Sequence, residues 1–129
     1  MTTEKIEWPN GIEPEIGMGA TITLFTDSDA YTIIKMSGSK KKLYLQEDNA
    51  ILDPNWKMDM SPGGFVGHVN NNHSQSYTYE RNPEGAIRVI TLRTLKSGKT
   101  LWKMKGARTN ERGCNGRVGV RSKFYDYNF

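Results

Sequence analysis

One cysteine, two histidines and five prolines in 129 residues leave little with which to build a stapled or metal-held domain. Cys114 has no second thiol to pair with, whereas secreted domains of this size usually carry paired cysteines. His68, His73 and Cys114 match no zinc-ligand spacing. No apolar run approaches the roughly 20 residues that span a bilayer, and the stretch from Met1 to Glu15 is acidic, with no secretory hydrophobic region. Missing too is any apolar repeat of helical period over ten or more residues. The expectation is a cytoplasmic, mainly β domain without metal, cofactor or membrane partner.

Hydrophobic residues make up 36% of the chain, with 13 glycines besides, which is ordinary for one globular domain of about 100 to 150 residues. The charge is less ordinary. The formal net charge is +4, but Met1 to Gly85 carries seven cations against twelve carboxylates, a balance of −5, and Ala86 to Phe129 carries eleven against two, a balance of +9. A basic last third attracts phosphate or an acidic protein surface more strongly than +4 suggests. The competing reading is that acidic and basic strands pair across a sheet and cancel.

Short strands account for the rest of the pattern. Residues 19 to 26 alternate Ala20, Ile22 and Leu24 with Thr21, Thr23 and Phe25, as a half-buried strand does. Residues 30 to 37 and 42 to 48 follow, joined by a turn at Ser37-Gly38-Ser39-Lys40, with Leu43 and Leu45 facing one way. Ser76 to Arg81 and Ala86 to Thr94 flank Asn82-Pro83-Glu84-Gly85, a hairpin signal in which proline presets φ and glycine takes the left-handed position. Lys96-Ser97-Gly98 leads into a further strand, Lys99 to Lys105. Six or seven such strands with no helix to cover them must close or pack as two sheets. A small SH3-like barrel is expected, with a small β-sandwich as the alternative. It divides into an N-terminal arm (1–16), a β-meander (17–49), a long, ordered Gly-rich excursion (50–74), and a basic hairpin region ending in an aromatic strand (75–129).

Several motifs recur together: Gly17 to Thr21 (Gly-x-Gly-Ala-Thr), Asp29 to Ile34, Glu47-Asp48-x-Ala50, Pro62 to His68 (Pro-Gly-Gly-Phe-x-Gly-His) and Tyr125 to Phe129 (Tyr-Asp-Tyr-x-Phe). In these the chain from Gly17 onward resembles a family of small proteins encoded in bacteriophage and gut bacterial genomes. The lysines at 40 to 42 and the stretch 110 to 116 depart from that pattern. The resemblance implies a phage or mobile-element setting, hence a host cytoplasm, and no particular chemistry.

Catalytic signals are thin. Ser97-Gly98-Lys99-Thr100 imitates the end of a P-loop, but the position five before Gly98 is Arg93, not glycine, and a strand rather than a helix follows. Cys114 with His68 or His73 lacks any orienting third group. Asp27, Asp29, Glu47 and Asp48 bring carboxylates to adjacent strand ends, where solvation explains them. Binding signals are stronger. Gly63, Gly64, Phe65 and His68 offer exposed amides, a ring and a donor, unless Phe65 is tucked into the core. Trp102, Lys103, Lys105, Arg108, Arg112, Arg117, Arg121, Lys123 and Tyr125 interleave cations with rings, as a groove for phosphates and bases does, unless the rings complete the barrel. Tyr125, Tyr127 and Phe129 alternate like a closing strand.

The expectation is a non-enzymatic binding module for an anion, nucleic acid first, with Arg117, Arg121 and Lys123 setting its salt dependence. Two alternatives stand beside it. One is a phage-encoded inhibitor of host defence that sequesters a nucleotide signal near Phe65 and His68, or masks a defence protein. The other is a virion structural protein.

Overall fold

Thr and Ile alternate from Gly19, and this pattern starts the barrel that organises the molecule. The computed structural model describes residues 6–24, 27–57, 59–61, 68–69, 75–110 and 112–124. Its elements are a 3-10 turn η1 (Pro9–Gly11) and ten strands: β1 (Gly19–Leu24), β2 (Asp27–Met36), β3 (Lys42–Glu47), β4 (Asn49–Leu52), β5 (Met60–Ser61), β6 (His68–Val69), β7 (Tyr77–Glu80), β8 (Ile87–Thr94), β9 (Thr100–Met104) and β10 (Asn115–Val118). Six strands close into a barrel in the order β1-β10-β9-β8-β3-β2, and every neighbouring pair is antiparallel. An even strand number is what such closure requires. The path is an up-and-down meander interrupted once, between β3 and β8, by an insertion carrying the β4–β7 and β5–β6 ladders. Closure of β10 onto β1 gives the small barrel and removes the sandwich alternative. Among the described residues no helix is long and apolar enough to cross a membrane.

The barrel is filled by Ala20, Ile22, Tyr31, Ile33, Leu43, Leu45, Ile90, Trp102 and Val118, with Trp8, Ile12, Met18, Met36, Leu92 and Met104 packed around them. Leu24, expected to face inward, is exposed at the end of β1. The N-terminal arm crosses one barrel mouth. There Trp8 stacks on Trp102 with ring centroids 6.0 Å apart, and Gly17 N–H and Met18 C=O bond the backbone of Ile33 at 2.8 and 2.9 Å.

Two expectations about turns change. The Asn82 to Gly85 turn forms, with Gly85 N–H donating to Asn82 O at 2.9 Å, but it does not join a hairpin. Its flanking strands go to different partners: β7 pairs with β4, and β8 with β3 and β9. The turn docks on β3 instead, where Gln46 Nε2 donates to Pro83 O at 2.8 Å and to Gly85 O at 3.3 Å. Gly85 is needed there for closeness rather than for a left-handed φ, since a Cβ would lie 2.1 Å from Glu47 O. The Lys96 to Gly98 turn does make its hairpin, with Gly98 at φ +90°.

Closure depends on β10, a four-residue strand of Asn, Gly, Arg and Val. Gly116 lets it lie over the core, because a Cβ there would meet Ile90 Cδ1 at 2.9 Å and Trp102 Cβ at 3.0 Å. After β10 the chain turns at Gly119 and runs along the outside of β1 and β2. Thr21 Oγ1 donates to Val120 O at 2.7 Å and accepts from Ser122 N–H at 3.0 Å, and Ser28 and Phe124 exchange backbone bonds. Tyr125, Tyr127 and Phe129, expected as the closing strand, lie outside the described residues.

The tail and the insertion meet at Asp48, whose side chain is 1% exposed. One oxygen accepts from Arg121 Nε at 2.8 Å and the other from Thr32 Oγ1 at 2.7 Å, while Arg81 Nη1 stands 3.8 Å away. Arg121 reaches Asp48 by crossing Gly19, whose absent Cβ would lie 2.7 Å from it.

Removing one partner of a buried ion pair typically costs roughly 3–5 kcal/mol, whereas replacing both with apolar groups costs little. Arg121 is about a third exposed and Arg81 remains nearby, so we expect Arg121→Met to cost less, about 2–3 kcal/mol, in urea denaturation. Asp48→Leu with Arg121→Met should recover most of that loss. An Arg121→Met variant within experimental error of the parent would show that Asp48 does not depend on it.

Candidate functional site

The cations and rings proposed from sequence do not form one groove. Trp102 is core, 1% exposed, so neither ring face is free for a base. Lys103 is also buried, and its Nζ donates to Gly113 O at 2.9 Å. Arg121 is committed to Asp48 and to Thr32 Oγ1. Lys123 pairs with Asp29, and its backbone N–H donates to Tyr79 Oη at 2.8 Å. Arg121 and Lys123 are therefore paired with early carboxylates. Lys105, Arg108, Arg112 and Arg117 remain exposed. Gly63, Gly64, Phe65 and Tyr125 lie outside the described residues, as does His73, and His68 is placed in β6 by its backbone alone.

The alternation of β9 explains this sorting. Successive strand residues face opposite sides, so Trp102 and Met104 pack inward while Lys103 and the following Lys105 lie on the outer side. On β3, Leu43 and Leu45 are fully buried, which turns Lys42 and Tyr44 outward. On β2 a bulge does the positioning. The register with β3 slips between Ile33 and Lys35, so Lys35 pairs with Tyr44 and Met36 with Leu43. Without the extra residue, Lys35 would share the inward face of Ile33; the bulge reverses the parity beyond it. Tyr44 in turn pairs with Val89 on β8, whose C=O accepts from Lys105 N–H at 2.8 Å.

These placements bring Lys35, Lys42 and Lys105 around Tyr44 on the outer face of β2, β3 and β8. The Lys35 and Lys42 ammonium groups lie over the Tyr44 ring, 5.2 and 5.4 Å from its centroid. A hydrogen bond with Lys42, followed by the fields of Lys42, Lys35 and Lys105, holds the Tyr44 phenol below its ordinary value of 10.0 despite some desolvation. The loop after β9 lies on the same outer side. Arg93 donates to Thr91 Oγ1 at 2.8 Å, Ala107 O at 2.9 Å and Thr109 Oγ1 at 3.3 Å, and Lys103 holds Gly113. Two cations are thus spent on anchoring a loop that presents Arg108 and Arg112 to solvent, and Arg117 projects from β10 opposite Thr21. Among the described residues none of Lys35, Lys42, Lys105, Arg108, Arg112 and Arg117 forms an ion pair.

The other end of the barrel has the opposite sign. A cleft of about 420 Å³ is lined by Asp29, Glu47, Asp48, Asn49, Asn82, Glu84 and Lys123 among others. Tyr31, beneath it, is pushed above its ordinary 10.0 first by burial and then by Glu47 and Asp29, partly offset by a hydrogen bond with Arg88. A second cavity of about 690 Å³ lies along the N-terminal arm, between Ile6 to Gly11 and Lys99 and Thr100. Thr100 Oγ1 donates to Glu7 O there, at the end of a hairpin turn, which is no phosphate cradle. Among the described residues no group of three or more His, Cys, Asp or Glu is arranged to hold a metal.

No family model matches this chain, and no curated protein or solved structure shows significant similarity to it.

Lys35, Lys42 and Tyr44 lie outside the late basic stretch, in the part of the chain whose net charge is acidic. The Lys42-Leu43-Tyr44-Leu45 alternation was a usable signal; the β2 bulge was not.

The two tyrosines should titrate apart. In absorbance at 295 nm, Tyr44 is expected to ionise below 10.0 and to move up with added salt, as screening weakens the lysine fields; Tyr44→Phe should remove that component. A low component that ignores salt would contradict the electrostatic cause. Tyr31 has a raised folded pKa, so its contribution to stability is present below pH 10.0 and is lost as pH rises from there through its folded value.

Proposed function

We propose that this protein is a non-catalytic binding module that holds nucleic acid by its phosphates on the outer face of β2, β3 and β8. The observation that carries the reading is the group of cations around Tyr44 that form no ion pair among the described residues: Lys35, Lys42 and Lys105, extended by Arg108 and Arg112 on the loop after β9, while Arg117 on β10 stands three strands from β3 and apart from them. Cations held together without carboxylates release counterions when phosphates replace them, which supplies sequence-independent affinity. The acidic cleft at the other end repels a polyanion and so favours one binding face over a uniform coating. A phage or mobile-element setting, as the sequence resemblance implies, is compatible with such a module working in a host cytoplasm.

Binding is checked by fluorescence anisotropy with a labelled oligonucleotide across a salt series. Each neutralised phosphate contributes about 0.7 to 0.9 to the slope of log K against log salt, so Lys35→Gln, Lys42→Gln and Lys105→Gln together should flatten it by about 2 to 3 units. Substituting Lys96 and Lys99, on the β8–β9 turn, should flatten it less. Absence of binding, or binding indifferent to salt, would overturn the proposal and leave an acidic protein surface as the remaining partner for this face.

A further inference from the structure

Resting on that reading, we infer that the nucleic acid is single-stranded and that Tyr44 is the platform on which one of its bases stacks. The ring occupies the middle of the face rather than its rim. It stands in a cross-strand row between Lys35 on β2 and Val89 on β8, with Lys42 two residues before it on the same side of β3. Adjacent strands are about 4.8 Å apart, and residues two apart on a strand about 6.7 Å. The lysines therefore sit a short reach from the ring along two directions, while Val89, half-buried, continues an apolar floor beside it. A base inside a duplex has both faces covered by its neighbours, so only an unstacked base can use such a ring.

The lysines also report what the ring is available for. Both ammonium groups lie over it, and no carboxylate is their ion-pair partner among the described residues. Cation–π contacts at an exposed site are weaker than the stacking of a base on an aromatic side chain. A base arriving with its phosphates offers both partners something better: the ring takes the base, and the ammonium groups move to the backbone on either side. The depressed phenol of Tyr44 agrees with a strongly positive surrounding. Among the described residues the barrel presents no helix that could enter a duplex groove, η1 being a three-residue turn.

The experiment compares a labelled oligo(dT) 15-mer, a duplex of equal length and heparin, a polyanion without bases, at one fixed salt concentration. The parent protein should bind the single strand at least about tenfold more tightly than either competitor. Tyr44→Ala and Tyr44→Leu should each lower single-strand affinity about 5- to 50-fold, in the range expected for one stacked base, with the salt slope unchanged and heparin binding intact. Tyr44→Phe should retain the parent affinity. Tyr44→Leu keeps an apolar cover over Val89, so a folding loss in the alanine variant does not decide the result. Equal binding of all three probes, with Tyr44 variants neutral, would overturn this inference and leave the phosphate-binding proposal standing. Failure to bind any probe would overturn both.

Discussion

A single buried carboxylate, that of Asp48, sets how the late part of the chain folds back on the early part. It lies where β3 leaves the barrel for the insertion and receives groups from three other segments: Thr32 from β2, Arg121 from the tail and Arg81 from the insertion. Burying a carboxylate without partners is costly, so any fold that places Asp48 under the tail must bring a cation to it. Gly19 makes the passage possible by leaving room for the Arg121 side chain. Fixing the tail in turn covers Thr21, Ala30 and Thr32, which lie on the outer side of the barrel and are nonetheless buried.

That requirement divides the positive charges of the last third by task. Arg121 and Lys123 are drawn to Asp48 and Asp29 and vanish from the surface field. Arg93 and Lys103 hold the loop after β9 by its carbonyls. Of those left in solvent, Lys105 with Arg108 and Arg112 joins Lys35 and Lys42 from the acidic part of the chain, while Arg88, Lys96, Lys99 and Arg117 are exposed elsewhere on the barrel. The charge asymmetry is thus partly cancelled and partly left exposed. Early acids and late bases cancel near the tail, while a basic face survives on β2, β3 and β8.

Much of the barrel was legible in the sequence. Leu43 and Leu45 announced β3, Ile22 and Ala20 announced β1, and the Lys96 to Gly98 turn announced the β8–β9 hairpin, because local alternation and turn chemistry decide those elements. Other features rest on contacts between distant residues. β10 is poor in strand-forming residues, and only its fit over Trp102 and Ile90 makes Asn115–Val118 a strand. The turn at Gly85 was readable but its partners were not, since docking on Gln46 sends β7 to β4. The supposed interleaving of rings and cations in Trp102-Lys103-Met104-Lys105 carried its own correction: residues alternating along a strand face opposite ways, so ring and lysine cannot share a ligand. The outward turn of Lys35 depends on the β2 bulge, which no local pattern announces.

On the proposed reading one face, and not the aromatic and basic tail, receives the ligand. Backbone amide shifts of ¹⁵N-labelled protein titrated with a short single-stranded oligonucleotide test it most directly. Perturbations should gather at Lys35, Lys42, Tyr44, Val89 and Lys105, with the acidic cleft around Glu47, Asn82 and Glu84 unmoved. Shifts centred on residues 119–124 and that cleft, with the Tyr44 surroundings silent, would contradict the account.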